Sequence, residues 1–112
     1  MTVIAKEFVP SKVAEAVQTT QYTAPTNFTA IIDKFTATNI SAADVAFSVN
    51  LVTTGTNAST SNLIVKYKFI SPGRTYTFPE LTGHVLATGT SISTLSSTAG
   101  ALTIRVSGRE AS

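Results

Sequence analysis

The chain has no cysteine and a single histidine, His84. Without cysteine neither a disulfide nor a thiolate metal site can hold the fold, so stability must come from packing or assembly. Charge is scarce as well, at 12% of residues against about a quarter in ordinary domains. Eight basic and six acidic side chains are scattered for a net charge of +2. No basic run forms the clustered stripe that nucleic-acid binding draws on. No stretch approaches the ~18 apolar residues of a membrane span, and Met1–Glu7 lacks the long apolar core of a secretory signal. The expectation is a soluble protein made in a cytoplasm. There is no glycine-rich phosphate loop, no internal repeat of a solenoid or propeller, and no densely acidic loop of the calcium-cage kind. Asp33 and Asp44 therefore read as solvated or turn-capping residues, and neither metal nor cofactor is expected.

What is present is period two. The 112 residues, 43% of them hydrophobic, suit one domain with one modest core. Val45–Leu51 alternates large apolar with small or polar residues, as a strand with one face in a core requires. Leu63–Ile70 places Leu63, Val65, Tyr67 and Phe69 on one face, with Lys66 and Lys68 solvated on the other. Leu102–Ser107 repeats the pattern with Leu102, Ile104 and Val106 inward, and reads as a final strand closing a sandwich. An earlier strand runs from about Phe28 to Thr38, where the adjacent Ile31 and Ile32 suggest a bulge or burial on both faces. Phe47, Val49, Leu51, Val65, Phe69, Leu102, Ile104 and Val106 are the expected core.

Turn chemistry separates these runs. Ser71-Pro72-Gly73-Arg74 supplies proline and glycine where a tight turn wants them, and Thr98-Ala99-Gly100 joins the last two strands. Thr54–Asn62 lacks any large apolar residue and reads as an exposed, mobile loop. Lys12–Gln18 has some helical propensity, but Val17–Thr23 favours extended structure. The fold class is therefore all-β: a single-domain β-sandwich or jelly roll of about seven or eight short antiparallel strands. Residues 22–112 form the sandwich and residues 1–21 an N-terminal arm or edge strand. The arm's apolar residues follow no sustained period, so it is expected to stay disordered until a partner orders it, with Ile4, Phe8 and Val9 as anchors and Pro10 stiffening the exit.

Candidate chemistry is thin. Glu80 precedes His84 by four residues, but a catalytic dyad needs a third group and an electrophile or metal nearby. Pro79 and Gly83 account for the segment as a corner between strands, anchored by Leu81 and Leu86, and no enzyme activity is expected. Lys66, Lys68 and Arg105 could share a phosphate-binding face, or simply solubilise a sheet. Tyr22, Tyr67 and Tyr76 could form a sugar-stacking platform, or lie in core and interface. Asn27, Asn39 and Asn57 begin Asn-x-Ser/Thr triplets, which a Ser/Thr-rich chain produces by chance.

The order of motifs, "QYTAPTNFTAIIDKFTATNISAADVAFSVNLV", then "SPGRTYTFPELTGHVLATGTSIS" and a terminal "ALTIRVSGRE", resembles a group of small virion structural proteins of tailed bacteriophages and prophages. The resemblance covers about Tyr22 to Glu110. It implies a compact β-sandwich built into a particle, located in the virion after synthesis in the host cytoplasm, with no catalytic residues. The leading expectation is a capsid decoration (cement) protein, a homo-oligomer with a trimer as the candidate assembly, whose partners are copies of itself and other virion proteins such as the major capsid protein. Alternatives are a neck, collar or tail component forming a ring or attaching a fibre, and a small carbohydrate-binding module.

Overall fold

A computed structural model describes residues 2–112; Met1 of the arm lies outside the described residues. Among the described residues nine strands form two antiparallel sheets that pack on one core: β1 (Val3–Val13), β2 (Thr19–Thr23), β3 (Thr29–Asn39), β4 (Val45–Val52), β5 (Leu63–Ile70), β6 (Thr75–Thr77), β7 (Val85–Leu86), β8 (Ser91–Ser96) and β9 (Leu102–Ala111). The five-stranded sheet runs β1-β9-β3-β6, with β7 also paired to β3; the four-stranded sheet runs β2-β8-β4-β5. The chain is thus an all-β sandwich.

The alternation of the last strand explains its central place. In β9 the residues Leu102, Ile104, Val106, Gly108 and Glu110 are buried, while Arg105 and Arg109 stay in water. Strand β4 is buried on both faces, Val45, Phe47 and Val49 toward the core and Ala46, Ser48 and Asn50 on the outer side. At the centre Phe35, Phe47 and Phe78 meet with ring centroids 5.3 to 6.1 Å apart at tilted and edge-on angles, the geometry that aromatic quadrupoles favour. The expected core residues Phe47, Val49, Val65, Leu102, Ile104 and Val106 are buried, and Leu51 packs against the cluster partly covered.

Strand β5 departs from simple alternation. Phe69 is 66% and Tyr67 55% exposed, where both were expected inward. The pairing of β5 with β4 slips between Phe47↔Lys68 and Val49↔Val65, leaving one extra residue on β5. This bulge centres on Tyr67, whose φ is +50°. Its backbone N–H donates to Ser48 Oγ at 3.0 Å, outside the ladder. Beyond the bulge the facing reverses, so Ile70 enters the core in place of Phe69.

The N-terminal segment is also unlike a disordered arm. Its first thirteen residues include the 11-residue strand β1, paired along β9 from Val3↔Ala111 to Val13↔Thr103. Phe8 and Val9 are 5% and 2% exposed, so they belong to the chain's own core rather than to a partner contact. The reason is local: the register slips between Glu7 and Val9, which lets two consecutive residues both turn inward. After Val13 the chain bends at Ala16 and Val17 and enters β2, with no helical turn.

The turns fall where glycine and proline place them. Gly73, at φ +73°, closes the Ser71–Arg74 turn, in which Arg74 N–H donates to the Ser71 carbonyl. The bulge expected beside Ile31 and Ile32 lies one residue later, between Ile32 and Lys34.

Candidate functional site

The Pro79–Gly83 segment is a corner. Gly83 takes φ +88°, and Leu81 and Leu86 are fully buried on either side. The exposed His84 engages through its backbone alone, while the Glu80 carboxylate accepts a hydrogen bond from the Tyr76 hydroxyl at 2.9 Å. That bond holds the Tyr76 phenol above its ordinary range. Glu80 is committed to Tyr76, and the described residues contain no group of three or more His, Asp or Glu that could hold a metal.

The other constellations are dispersed by the topology. Arg105 lies on β9 of the five-stranded sheet, whereas Lys66 and Lys68 lie on β5 of the other, so the three share no face. Arg105 pairs with Glu7 at 3.4 Å. Asp33 takes a forked pairing from Arg109, 2.9 Å at its shortest. Lys68 reaches over the Tyr76 ring at 4.4 Å, tying together edge strands β5 and β6 of opposite sheets. The three tyrosines form no platform: Tyr22 stacks on Phe8 and Tyr76 meets Phe78 edge-on, leaving only Tyr67 open. Asn39 is fully buried, its amide donating to the carbonyls of Ala43 and Ile70, which removes it as a glycan acceptor.

One buried carboxylate had no warning in the sequence pattern. Glu110 is 4% exposed. It accepts the Tyr22 hydroxyl at 2.5 Å, and Lys6 Nζ lies 3.5 Å from the same oxygen. This triad joins β1, β2 and β9 across the seam between the sheets. Burial, and then the Glu110 bond, push the Tyr22 phenol well above its ordinary value of 10. A folded pKa raised above the unfolded one stabilises the fold below pH 10 and loses that contribution as pH rises beyond it. Tyr22→Phe is therefore expected to flatten the alkaline fall in stability, measured by urea unfolding across the alkaline range. At neutral pH it should cost about 1–3 kcal/mol, because a buried carboxylate oxygen loses a donor. An unchanged alkaline limb would remove Tyr22 as its cause.

Two surfaces remain. The first is the free edge of β1, which among the described residues has β9 on one side and no strand on the other. From Val3 to Glu7 the ladder is regular; slips follow on either side of Val9, and Pro10 removes a donor. Val3 and Ile4 are 56% and 44% exposed on the regular half. Of the four residues expected to touch partners, Ile4 and Pro10 stay on the surface while Phe8 and Val9 do not.

The second is the outer face of the four-stranded sheet. The loop after β4 was expected to be mobile, and its residues are exposed, but it is tied down. Asn50 Nδ2 donates to the Ser59 carbonyl and to Asn62 Oδ1 at 2.9 and 2.8 Å, and Thr60–Asn62 forms a 3-10 turn closed by a Ser59–Asn62 capping box. Beside the loop opens a groove of about 370 Å³ bounded by Gln18, Asn50, Thr60, Lys66 and Tyr67. Comparison with family models, with curated proteins and with solved structures finds no match to this chain.

Proposed function

We propose that the chain is a virion structural protein of a tailed bacteriophage, acting as a capsid decoration (cement) protein that docks to a neighbouring subunit through the open edge of β1. The observation that carries this reading is the asymmetry of that edge. A free strand edge presents unpaired N–H and C=O groups and is a template for a further strand unless it is blunted. Here the half from Phe8 onward is blunted by register slips and Pro10, while Val3–Glu7 is left regular, with Val3 and Ile4 exposed. A strand added there would gain main-chain hydrogen bonds and cover both side chains. The resemblance of the motif order to that of small phage virion proteins supports the same reading.

Each contact of this size is weak, and many copies on one particle would make the attachment firm. The test is a band count on purified particles: a decoration protein is expected at a copy number comparable with the major capsid protein, whereas a neck or tail ring would show only a small fraction of it. Ile4→Lys places a charge on the docking edge without touching the core. It is expected to leave the circular dichroism spectrum unchanged and to weaken rebinding to stripped particles by about tenfold or more. Undiminished rebinding would exclude the β1 edge as the contact.

A further inference from the structure

We infer that the groove on the outer face of the four-stranded sheet is a saccharide-binding site, with the Tyr67 ring as its stacking surface. The site lies on β5, at the opposite edge of the sandwich from β1 and on the other sheet, and it does not depend on docking there.

The argument starts from the backbone. Tyr67 has φ +50°, a region that bulky L-residues rarely occupy and that persists only where surrounding structure holds it. What holds it is the bulge and the bond from its N–H to Ser48 Oγ. The result is a ring turned out of the core alternation and left 55% exposed at the groove wall. Bulges that re-aim a side chain in this way are concentrated beside functional sites.

The chemistry of the lining names the ligand. Gln18, Ser48, Asn50, Ser59 and Thr60 contribute amides and hydroxyls, and Lys66 is the only charged residue on the wall. A second groove of about 360 Å³, across the same loop, shares Gln18 and Ala58 and has no charged lining residue at all. The five-stranded sheet is different, carrying the Arg105–Glu7 and Arg109–Asp33 pairs. Ala58, Leu63 and Leu95 complete the lining, and neutral donors and acceptors beside an apolar wall with one open aromatic face suit a ligand rich in hydroxyls that also has an apolar C–H face. That combination is a sugar ring. The volume lies at the lower end of small-molecule sites, about 300–1,000 Å³, which is room for a short saccharide.

The amides are already fixed in place. Gln18 Nε2 is fixed by Asn50 Oδ1 and Ser93 Oγ at 3.3 and 2.8 Å, which leaves its carbonyl oxygen to accept from a ligand hydroxyl. Asn50 in turn is fixed by the loop. Lys66 Nζ, 6.0 Å from the Tyr67 centroid, stands where it can donate to a sugar bound over the ring.

The experiment is a titration of the isotope-labelled protein, followed by amide chemical shifts. The probes are cellotetraose, chitotetraose, maltotetraose, sialyllactose and a soluble bacterial lipopolysaccharide O-chain, each at millimolar sugar, with glycerol as control. At least one probe is expected to move the amides of Gln18, Ser48, Asn50, Thr60 and Tyr67 together while glycerol moves none. Response to the O-chain alone would assign the ligand to a cell-surface polymer, and response to a tetrasaccharide to a free sugar; both support the site. Tyr67→Gly is the informative variant, because glycine accepts the positive φ and keeps the bulge. It should fold with undiminished melting temperature and lose affinity by about tenfold or more. No shift with any probe, shifts confined to another surface, or full affinity in folded Tyr67→Gly would each overturn the inference.

Discussion

A chain lacking residues 2–13 is expected not to fold. An N-terminal edge strand with several exposed residues looks dispensable, but β1 completes the core rather than decorating it. Phe8 and Val9 are buried, and the Phe8 ring stacks on Tyr22 at 4.2 Å. Burying these two side chains contributes about 3–6 kcal/mol by area, against a total stability of about 5–15 kcal/mol for a domain. Deletion would also strip β9 of its ladder on one side and leave Glu110 without the Lys6 ammonium. A carboxylate left with the Tyr22 hydroxyl but no cation and an opened central strand add to the same loss. The truncated protein should show collapsed amide dispersion and no cooperative melting transition, whereas Ile4→Lys should show both intact. A soluble truncated chain with a sharp transition would mean that β1 is an accessory.

Where side chains alternate without interruption, the fold was legible. Val45–Leu51 and Leu102–Ser107 each keep one face against the core, so period two appears directly in the residue types. The turns at Gly73, Gly83 and Gly100 were equally plain, because positive φ values at each call for glycine. Strand β5 was misread for a physical reason: Leu63, Val65, Tyr67 and Phe69 alternate perfectly as letters, but the bulge at Tyr67 inverts the facing midway. Its backbone partner, Ser48, lies on another strand, and no local pattern announces such a bond. The arm was misread similarly, since two adjacent inward residues at a register slip look like a broken period. The groove was hidden more thoroughly. Gln18, Asn50 and Lys66 come from three separate segments, and only the sheet order β2-β8-β4-β5 brings them to one face.

Gly108→Ala is expected to destabilise the domain by about 3 kcal/mol, at the upper end of overpacking costs. Gly108 lies in the middle of the five-stranded sheet, paired to Lys6 on β1 and to Ile32 on β3. Its backbone is not in the left-handed region, so the requirement for glycine is one of space. A Cβ there would stand 2.1 Å from the Ile31 carbonyl oxygen and 2.6 Å from the Phe8 ring. The ring can swing away, at the expense of its stack on Tyr22; the carbonyl belongs to the β3 backbone and can retreat only if the sheet shifts. Replacing glycine by alanine also restricts the unfolded chain, a gain of about 0.4–1 kcal/mol, which is too small to offset either clash. Adding Phe8→Ala should recover the part due to the ring and leave the part due to the carbonyl. The two changes should therefore couple by about 1 kcal/mol in a double-mutant cycle measured by denaturant unfolding. A loss under about 0.5 kcal/mol for Gly108→Ala alone would show that β3 and β9 can separate freely at this point, and that the close approach of Phe8 to the sheet contributes little to holding β1 in place.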